Sequence, residues 1–215
     1  MFSSKITALF NVMRRSGYLM KQLAIPLGWQ KTPTKWLVMV ISGALAVLIA
    51  GVFSSAPVVA SDHMAAPLTG ATQWLNSPPL NIEMLRGKVV LVDFWTYSCS
   101  NCLNALPHVK AWDEKYRTQG LTVIGVHTPE FDAEKNRQNV EQAIKRLGVT
   151  YPVAMDNEYA IWGAYGNKYW PAQYLIDAKG QLRYQHYGEG AHREIEARIQ
   201  DLLKEAQQVE NAAKH

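Results

Sequence analysis

The 215-residue sequence has only two cysteines, Cys99 and Cys102, so it lacks the cysteine content of a disulfide-stabilised scaffold. Low-complexity tracts and internal repeats are also missing, which excludes fibrous and repeat architectures. Because no other cysteine is available for a structural bridge, the fold must be stabilised by its hydrophobic core alone. The two thiols are free to cycle between the dithiol and the disulfide.

Acidic residues are missing from residues 1–35, which carry six of the 22 lysines and arginines. The rest of the chain therefore has 16 basic residues against 18 acidic ones, so the net charge of +4 belongs to the N-terminal tail. A domain without a basic surplus does not point to nucleic acid as a partner.

Charged residues are also missing from residues 36–53, a strongly apolar run. As a helix, this run would just span a bilayer core of roughly 30 Å, and it lacks the regularly spaced polar positions of a buried core helix. All six early cations precede it, and the next lysine or arginine is Arg86. The positive-inside rule then predicts a single-pass anchor with residues 1–35 in the cytoplasm and the rest outside. Cleavage as a signal peptide after residues 58–60 stays open.

The two cysteines are three residues apart and follow a largely apolar segment, residues 89–94, that is typical of a buried strand. Two thiols at this spacing on a helix share one face and can form a disulfide. The unpaired N–H groups and the dipole of a helix N-terminus favour a thiolate at Cys99, which makes it the attacking nucleophile. Cys102, one turn into the helix, would then resolve the mixed disulfide.

Asp93 lies in the same predicted strand, between Val92 and Phe94. Burial should raise the pKa of its carboxyl group, which suits a general base that deprotonates Cys102. The alternative is an aspartate that points to solvent or only hydrogen-bonds the backbone.

Strands and helices alternate along the rest of the chain. The pattern predicts a helix over 99–119, a strand over 121–126, a helix over 133–147 capped by Asp132, a helical turn near 158–165, a hairpin of strands 172–176 and 182–187, and a final amphipathic helix that includes Ile195 to Leu203. This order predicts an α/β fold, a mixed sheet with helices on both faces. Pro171 precedes the strand at 172, and from the residues alone a trans proline that opens an edge strand is the commoner arrangement.

The segment Asp93-Phe94-Trp95-Thr96-Tyr97-Ser98-Cys99-Ser100-Asn101-Cys102, with Pro107 five residues beyond it, resembles thioredoxin. The helical segment between Val126 and Tyr151 and the lead-in from about Thr69 to Lys88 resemble the membrane-anchored TlpA/ResA-like branch. Residues 95–99, 125–131 and 169–172 resemble most the thioredoxin-like domain of DipZ-type proteins. The resemblance implies catalytic roles for Cys99, Cys102, Asp93 and Pro171, with Pro171 as a cis-proline. Trp95 and Trp170 are candidates for substrate contact, and a packing role is the alternative for Trp170.

The predicted organisation is a basic cytoplasmic tail (1–35), a transmembrane helix (36–53), a linker (54–68), a thioredoxin-like domain (69–208) and a C-terminal tail (209–215). The resemblance implies a thiol-disulfide oxidoreductase held in a bacterial inner membrane with its redox domain in the periplasm. It would reduce specific protein disulfides, as in cytochrome c maturation, with electrons from a membrane donor of the DsbD/CcdA type. No cofactor beyond the thiols is expected. The redox direction stays open, because Ser98, Ser100 and Asn101 depart from the thioredoxin pattern and such residues tune the potential.

Two other functions fit parts of the pattern. Thr96 and Cys99 match half of the peroxiredoxin motif P-x-x-x-T-x-x-C, but Val92 stands where that motif has proline. Cys99, Cys102 and His108 could instead carry copper or zinc, although two thiols and one histidine make a small ligand set.

Overall fold

The computed structural model describes residues 63–214. The predicted basic tail, the predicted membrane anchor and most of the predicted linker therefore lie outside the described residues. Within residues 63–214, no helix combines the length and the apolar character that a membrane crossing needs.

One mixed sheet runs through the described part of the chain, with strand order β1-β4-β3-β2-β5-β6. The strands are β1 (Gln73–Leu75), β2 (Val89–Trp95), β3 (Leu121–His127), β4 (Val153–Met155), β5 (Ala172–Ile176) and β6 (Leu182–Tyr187). The helices are α1 (Ser100–Tyr116), α2 (Arg137–Leu147), α3 (Ala160–Ala164) and α4 (His192–Ala212). Strand β2 pairs in parallel with β3 and antiparallel with β5, so it lies in the interior of the sheet.

Every residue of β2 is buried, which explains its nearly continuous apolar sequence. Successive side chains of a strand point to opposite faces. On one face, Leu91 and Trp95 belong to a hydrophobic cluster together with residues of α1, α2 and α4. Cys102 belongs to the same cluster. Val92 and Phe94 belong to the cluster on the second face, which α3 and the chain before β2 cover.

The mixed sheet and its helices agree with the sequence-based fold class, but two details differ. The helix predicted over 133–147 is interrupted: Asp132–Lys135 forms a 3-10 turn, and α2 begins after Asn136. Asn136 rather than Asp132 caps the helix, because its side-chain oxygen accepts hydrogen bonds from the N–H groups of Gln138 and Asn139. Strand β1 was not predicted, since three residues are too few to show an alternating pattern.

The arrangement around Pro171 also differs from the expectation based on residues alone. The Trp170–Pro171 peptide bond is cis, as the resemblance to thioredoxin implies. Strand β5 is not an edge strand, since it lies between β2 and β6. The proline precedes the first strand residue, so its missing N–H removes no hydrogen bond from the sheet.

Candidate active site

Cys99 and Cys102 form a disulfide at the point where the chain leaves β2 and enters α1. Cys99 is the N-cap of α1, and its sulfur accepts a hydrogen bond of 3.2 Å from the N–H of Cys102. The two sulfurs differ in exposure: Cys99 is half-buried, whereas Cys102 is only 3% exposed. An attacking group from outside can therefore approach Cys99 and not Cys102.

Asp93 is buried in the middle of β2 and, by the alternation of the strand, faces the same side as Cys102. The side-chain amide of Gln173 on β5 donates a 2.9 Å hydrogen bond to its carboxylate. Burial raises the pKa of Asp93 to about 7, and the hydrogen bond from Gln173 opposes this shift. A carboxyl group with this pKa is partly ionised near neutral pH and can accept a proton there.

The two predicted substrate-contacting tryptophans lie in different environments. Trp170 is half-buried, packs on Trp162 with ring centroids 4.2 Å apart, and donates a 3.1 Å hydrogen bond to the carbonyl of Thr128. Trp95 is 1% exposed and packs edge-on against His127 inside the core. In this structure Trp95 is therefore a core residue that packs beneath the surface of the site, and its predicted contact with substrate stays a prediction.

Glu134 is a buried carboxylate beside the cysteines that the sequence analysis missed. It lies in the Asp132–Lys135 turn, is 1% exposed, and accepts hydrogen bonds from the N–H (3.3 Å) and hydroxyl (2.5 Å) of Ser98. The backbone N–H groups of Glu130 and Phe131 donate to its other oxygen. In a sequence, a capping glutamate of this kind is normally identified by a serine or threonine three residues before it, at the N-cap. Phe131 occupies that position here, so the motif is absent.

The pKa of Glu134 responds differently from that of Asp93. Burial acts to raise it, but hydrogen bonds from Ser98, Thr96 and two backbone N–H groups outweigh burial and lower the pKa below its ordinary value. Glu134 is therefore a carboxylate anion across the neutral range.

His127 completes the buried polar group beneath the cysteines. Its ring stacks on Tyr97, and its Nε2 atom lies 3.3 Å from the hydroxyl oxygen of Thr96. Burial lowers the pKa of His127 to about 4, although the charge of Glu134 opposes this shift. The imidazole is therefore neutral at physiological pH and supplies no counter-charge to Glu134.

His108, the third ligand of the metal-carrier alternative, lies on the exposed side of α1. Its ring stacks on His192 of α4 with centroids 3.7 Å apart. Across residues 63–214, no group of three or more histidine, cysteine, aspartate or glutamate side chains is arranged to hold a metal ion.

Comparison with known proteins shows where this site belongs. Residues 67–185, more than half of the chain, match the AhpC/TSA family. The chain belongs to the AhpC/TSA family. One relative is the thiol-disulfide oxidoreductase YkuV of Bacillus subtilis (strain 168), which is 31% identical over 140 residues that make up 65% of this chain and 94% of YkuV. The thiol-disulfide oxidoreductase ResA of Bacillus thuringiensis (strain Al Hakam) is 27% identical over 128 residues, 60% of this chain and 71% of ResA.

Protein DipZ of Mycobacterium tuberculosis (strain CDC 1551 / Oshkosh) is 51% identical over 145 residues, 66% of this chain. The match spans about a fifth of DipZ, 21% of its length. A solved structure described as a thioredoxin-like protein in the oxidised form has a TM-score of 0.61 at 32% identity and covers 67% of this chain and 97% of that one. These similarities confirm the predicted resemblance, and this AhpC/TSA-family chain has a thioredoxin-like fold similar to that of proteins named thiol-disulfide oxidoreductases.

Proposed function

We propose that the chain is a membrane-tethered oxidoreductase that reduces specific protein disulfides outside the cytoplasm. The observation that carries this proposal is the asymmetry of the two sulfurs, since Cys99 is accessible at the helix start and Cys102 is buried on the same face as Asp93. One sulfur can meet a large substrate, and the other can only react with its neighbour.

The reaction follows from this asymmetry. The Cys99 thiolate attacks one sulfur of a protein disulfide, expels the other as a thiolate and forms a mixed disulfide. Cys102 then loses its proton and attacks the sulfur of Cys99, which releases the second substrate sulfur and forms the Cys99–Cys102 bond. The substrate gains the two electrons that the cysteine pair loses.

Asp93 is the proposed acceptor of the Cys102 proton. A buried thiol does not ionise readily in an apolar environment, so the resolving step needs a base close to it. The carboxyl group of Asp93 is buried on the same side of the sheet, and its pKa of about 7 suits proton transfer near neutral pH.

The membrane location of the proposal depends on the sequence. Residues 36–53 are apolar and follow all six early cations, which supports an anchor with the redox domain in the periplasm. A donor of the DsbD/CcdA type in the same membrane would return two electrons to the pair. Disulfides formed on the route of cytochrome c maturation, or of a similar process, are the proposed substrates.

The test is to trap the substrate. In a Cys102→Ser variant of the full chain, the mixed disulfide on Cys99 cannot be resolved, so disulfide-linked adducts should accumulate and mass spectrometry should identify them. The double variant with Cys99→Ser is the matched control, and it should form no adducts. Adducts that form equally in the control, or that never form, would contradict the proposal.

The same variant distinguishes the peroxidase alternative. If Cys102→Ser consumed hydrogen peroxide rapidly through Cys99, the chain would act as a thiol peroxidase and disulfide reduction would be secondary. We expect peroxide consumption no faster than that of a free thiol.

A further inference from the structure

The sequence leaves the direction of electron flow open, and the contacts of Glu134 bear on it. The carboxylate of Glu134 reaches across 36 residues of sequence to bind both the N–H and the hydroxyl of Ser98, the residue directly before Cys99. A third contact to the same loop comes from the side chain of Thr96. The carboxylate is thus attached to the segment that carries the nucleophile.

The charge on this carboxylate is fixed. Its two oxygens accept from the backbone N–H groups of Ser98, Glu130 and Phe131 as well as from hydroxyl groups. Protonation would weaken these hydrogen bonds, because a neutral carboxyl oxygen is a poorer acceptor than a carboxylate oxygen. The arrangement therefore holds an anion.

Within residues 63–214, no lysine or arginine forms an ion pair with Glu134. The neighbouring Lys135 pairs with Asp132 instead, at 2.8 Å. His127 is neutral, and Arg146 on α2 acts on the phenol of Tyr97 from a distance. The charge of Glu134 is balanced by hydrogen-bond dipoles alone.

The remaining ionisable groups around the cysteine pair do not reverse this balance. Asp93 on β2 is also a buried acid, and it adds no positive charge. Glu189, after β6, is hydrogen-bonded to Asn104 of α1. The N-terminus of α1 stabilises a Cys99 thiolate, and the negative charge of the Glu134 carboxylate destabilises it.

A fixed anion beside Cys99 has a defined effect on the redox couple. Reduction breaks the Cys99–Cys102 bond and adds two electrons, and above neutral pH the reduced form carries part of its charge as the Cys99 thiolate. A group that makes this thiolate less favourable makes the reduced form less stable, so the pair gives up its electrons more readily. The opposite case is an oxidant whose reduced thiolate is strongly stabilised.

We propose that Glu134 is a positioning residue that biases the Cys99–Cys102 pair toward reducing its substrates, by holding a permanent negative charge against the loop of Cys99. This inference rests on the proposed function, because it assigns the direction of electron flow at the same site.

The test compares Glu134→Gln with Asp132→Asn in equilibrium with reduced and oxidised glutathione. Asp132 lies in the same turn, but its side chain is 95% exposed and pairs with Lys135, so it controls for the loss of one charge. At pH 9, Glu134→Gln should lower the equilibrium constant for disulfide formation about tenfold, equivalent to about 30 mV for a two-electron couple. At pH 6, where Cys99 is a protonated thiol in the reduced form of both the wild type and the variant, the difference should fall below about twofold. Asp132→Asn should match the wild type at both pH values.

A second variant separates charge from loop geometry. Ser98→Ala removes a hydroxyl dipole that partly neutralises Glu134, so the equilibrium constant should rise, by about twofold. A loosened loop would instead shift both variants in the same direction, and that result would overturn the proposal. If Glu134→Gln did not fold, Ser98→Ala would decide alone, with a fall in the constant counting against the proposal.

The pH profile of alkylation gives an independent readout. In Glu134→Gln, the pH of half-maximal reaction of Cys99 with iodoacetamide should fall by about one unit, because removal of a nearby like charge favours the thiolate. An unchanged midpoint would overturn the role of the charge. All these measurements use glutathione or alkylating agents, so they remain informative if no protein substrate is trapped, in which case the proposed function fails and this inference is judged separately.

Discussion

Two buried carboxylates are tied to the segment that carries the cysteine pair, Asp93 within the strand that leads to it and Glu134 by hydrogen bonds to Ser98, and they behave in opposite ways. Asp93 and Glu134 are 3% and 1% exposed, yet burial raises the pKa of Asp93 to about 7, whereas the pKa of Glu134 is lowered. Within residues 63–214, the hydrogen bond to Asp93 comes from Gln173, while Glu134 accepts from three backbone N–H groups and from hydroxyl groups. Burial alone therefore does not decide the charge of these two acids: the hydrogen bonds to Glu134 outweigh the effect of burial, and the single hydrogen bond from Gln173 to Asp93 does not.

The difference separates two kinds of chemistry. A carboxyl group that changes charge near neutral pH can exchange a proton, which suits the role proposed for Asp93 beside Cys102. A carboxylate that keeps its charge can only act as a constant field, which is the role proposed for Glu134 beside Cys99.

The largest expected effect concerns stability. The folded chain keeps a proton on Asp93 between about pH 4 and 7, where the unfolded chain has already lost it, so this group makes the protein less stable as the pH rises through that window. In Asp93→Asn, the free energy of unfolding should exceed that of the wild type by a margin that grows to roughly 4 kcal/mol above pH 8. Urea unfolding of the oxidised proteins at several pH values measures this margin.

Glu134→Gln provides the contrasting case in the same experiment. The pKa of Glu134 is lowered in the folded state, so its contribution to stability is present above its unfolded pKa and is lost as the pH falls through the folded pKa. Glu134→Gln should therefore lower the free energy of unfolding most at neutral pH and least in acid. Parallel pH dependence in the two variants would contradict the contrast between the two carboxylates.

The next largest effect concerns the resolving step. At pH 7, Asp93→Asn should slow the attack of Cys102 on a preformed mixed disulfide about 100-fold, because the variant has no base for the buried thiol. Stopped-flow fluorescence of the tryptophans, or quenching of the mixed disulfide with acid, gives the rate. The deficit should shrink at pH 9 and above, where solvent hydroxide can take the proton, and a rate equal to the wild type at pH 7 would remove Asp93 from the mechanism.

The smallest effect concerns the donor to Asp93. Gln173→Leu removes the 2.9 Å hydrogen bond that opposes the effect of burial, so the pKa of Asp93 should rise further and the pH midpoint of the resolving step should move up by about one unit. Gln185→Leu is the matched control, since Gln185 lies on β6 opposite Tyr174 with its side chain exposed. Equal midpoints in the two variants would mean that Gln173 does not tune Asp93.

Much of this site could be predicted from local sequence patterns. The apolar run of β2, the C-x-x-C spacing and the placement of Asp93 between Val92 and Phe94 depend on residues close together in the chain. The interruption at Asn136 was missed because residues 134–139 are all polar, so no apolar pattern marks where the helix begins, and the cap depends on two specific N–H contacts. Glu134 was missed because its partner Ser98 is 36 residues away, and no spacing rule joins them.

The sequence by itself determined that two cysteines and a buried acid lie in one strand and the start of one helix, and it predicted their roles as nucleophile, resolving thiol and base. It also predicted the separation of a charged N-terminal segment and an apolar run from the redox domain. Only the tertiary structure decided which carboxylate stays charged and which one can exchange a proton. The physical reason is that the pKa of a buried acid depends on donors that the fold brings from other elements, namely Gln173 from β5 for Asp93 and the loop around Ser98 for Glu134.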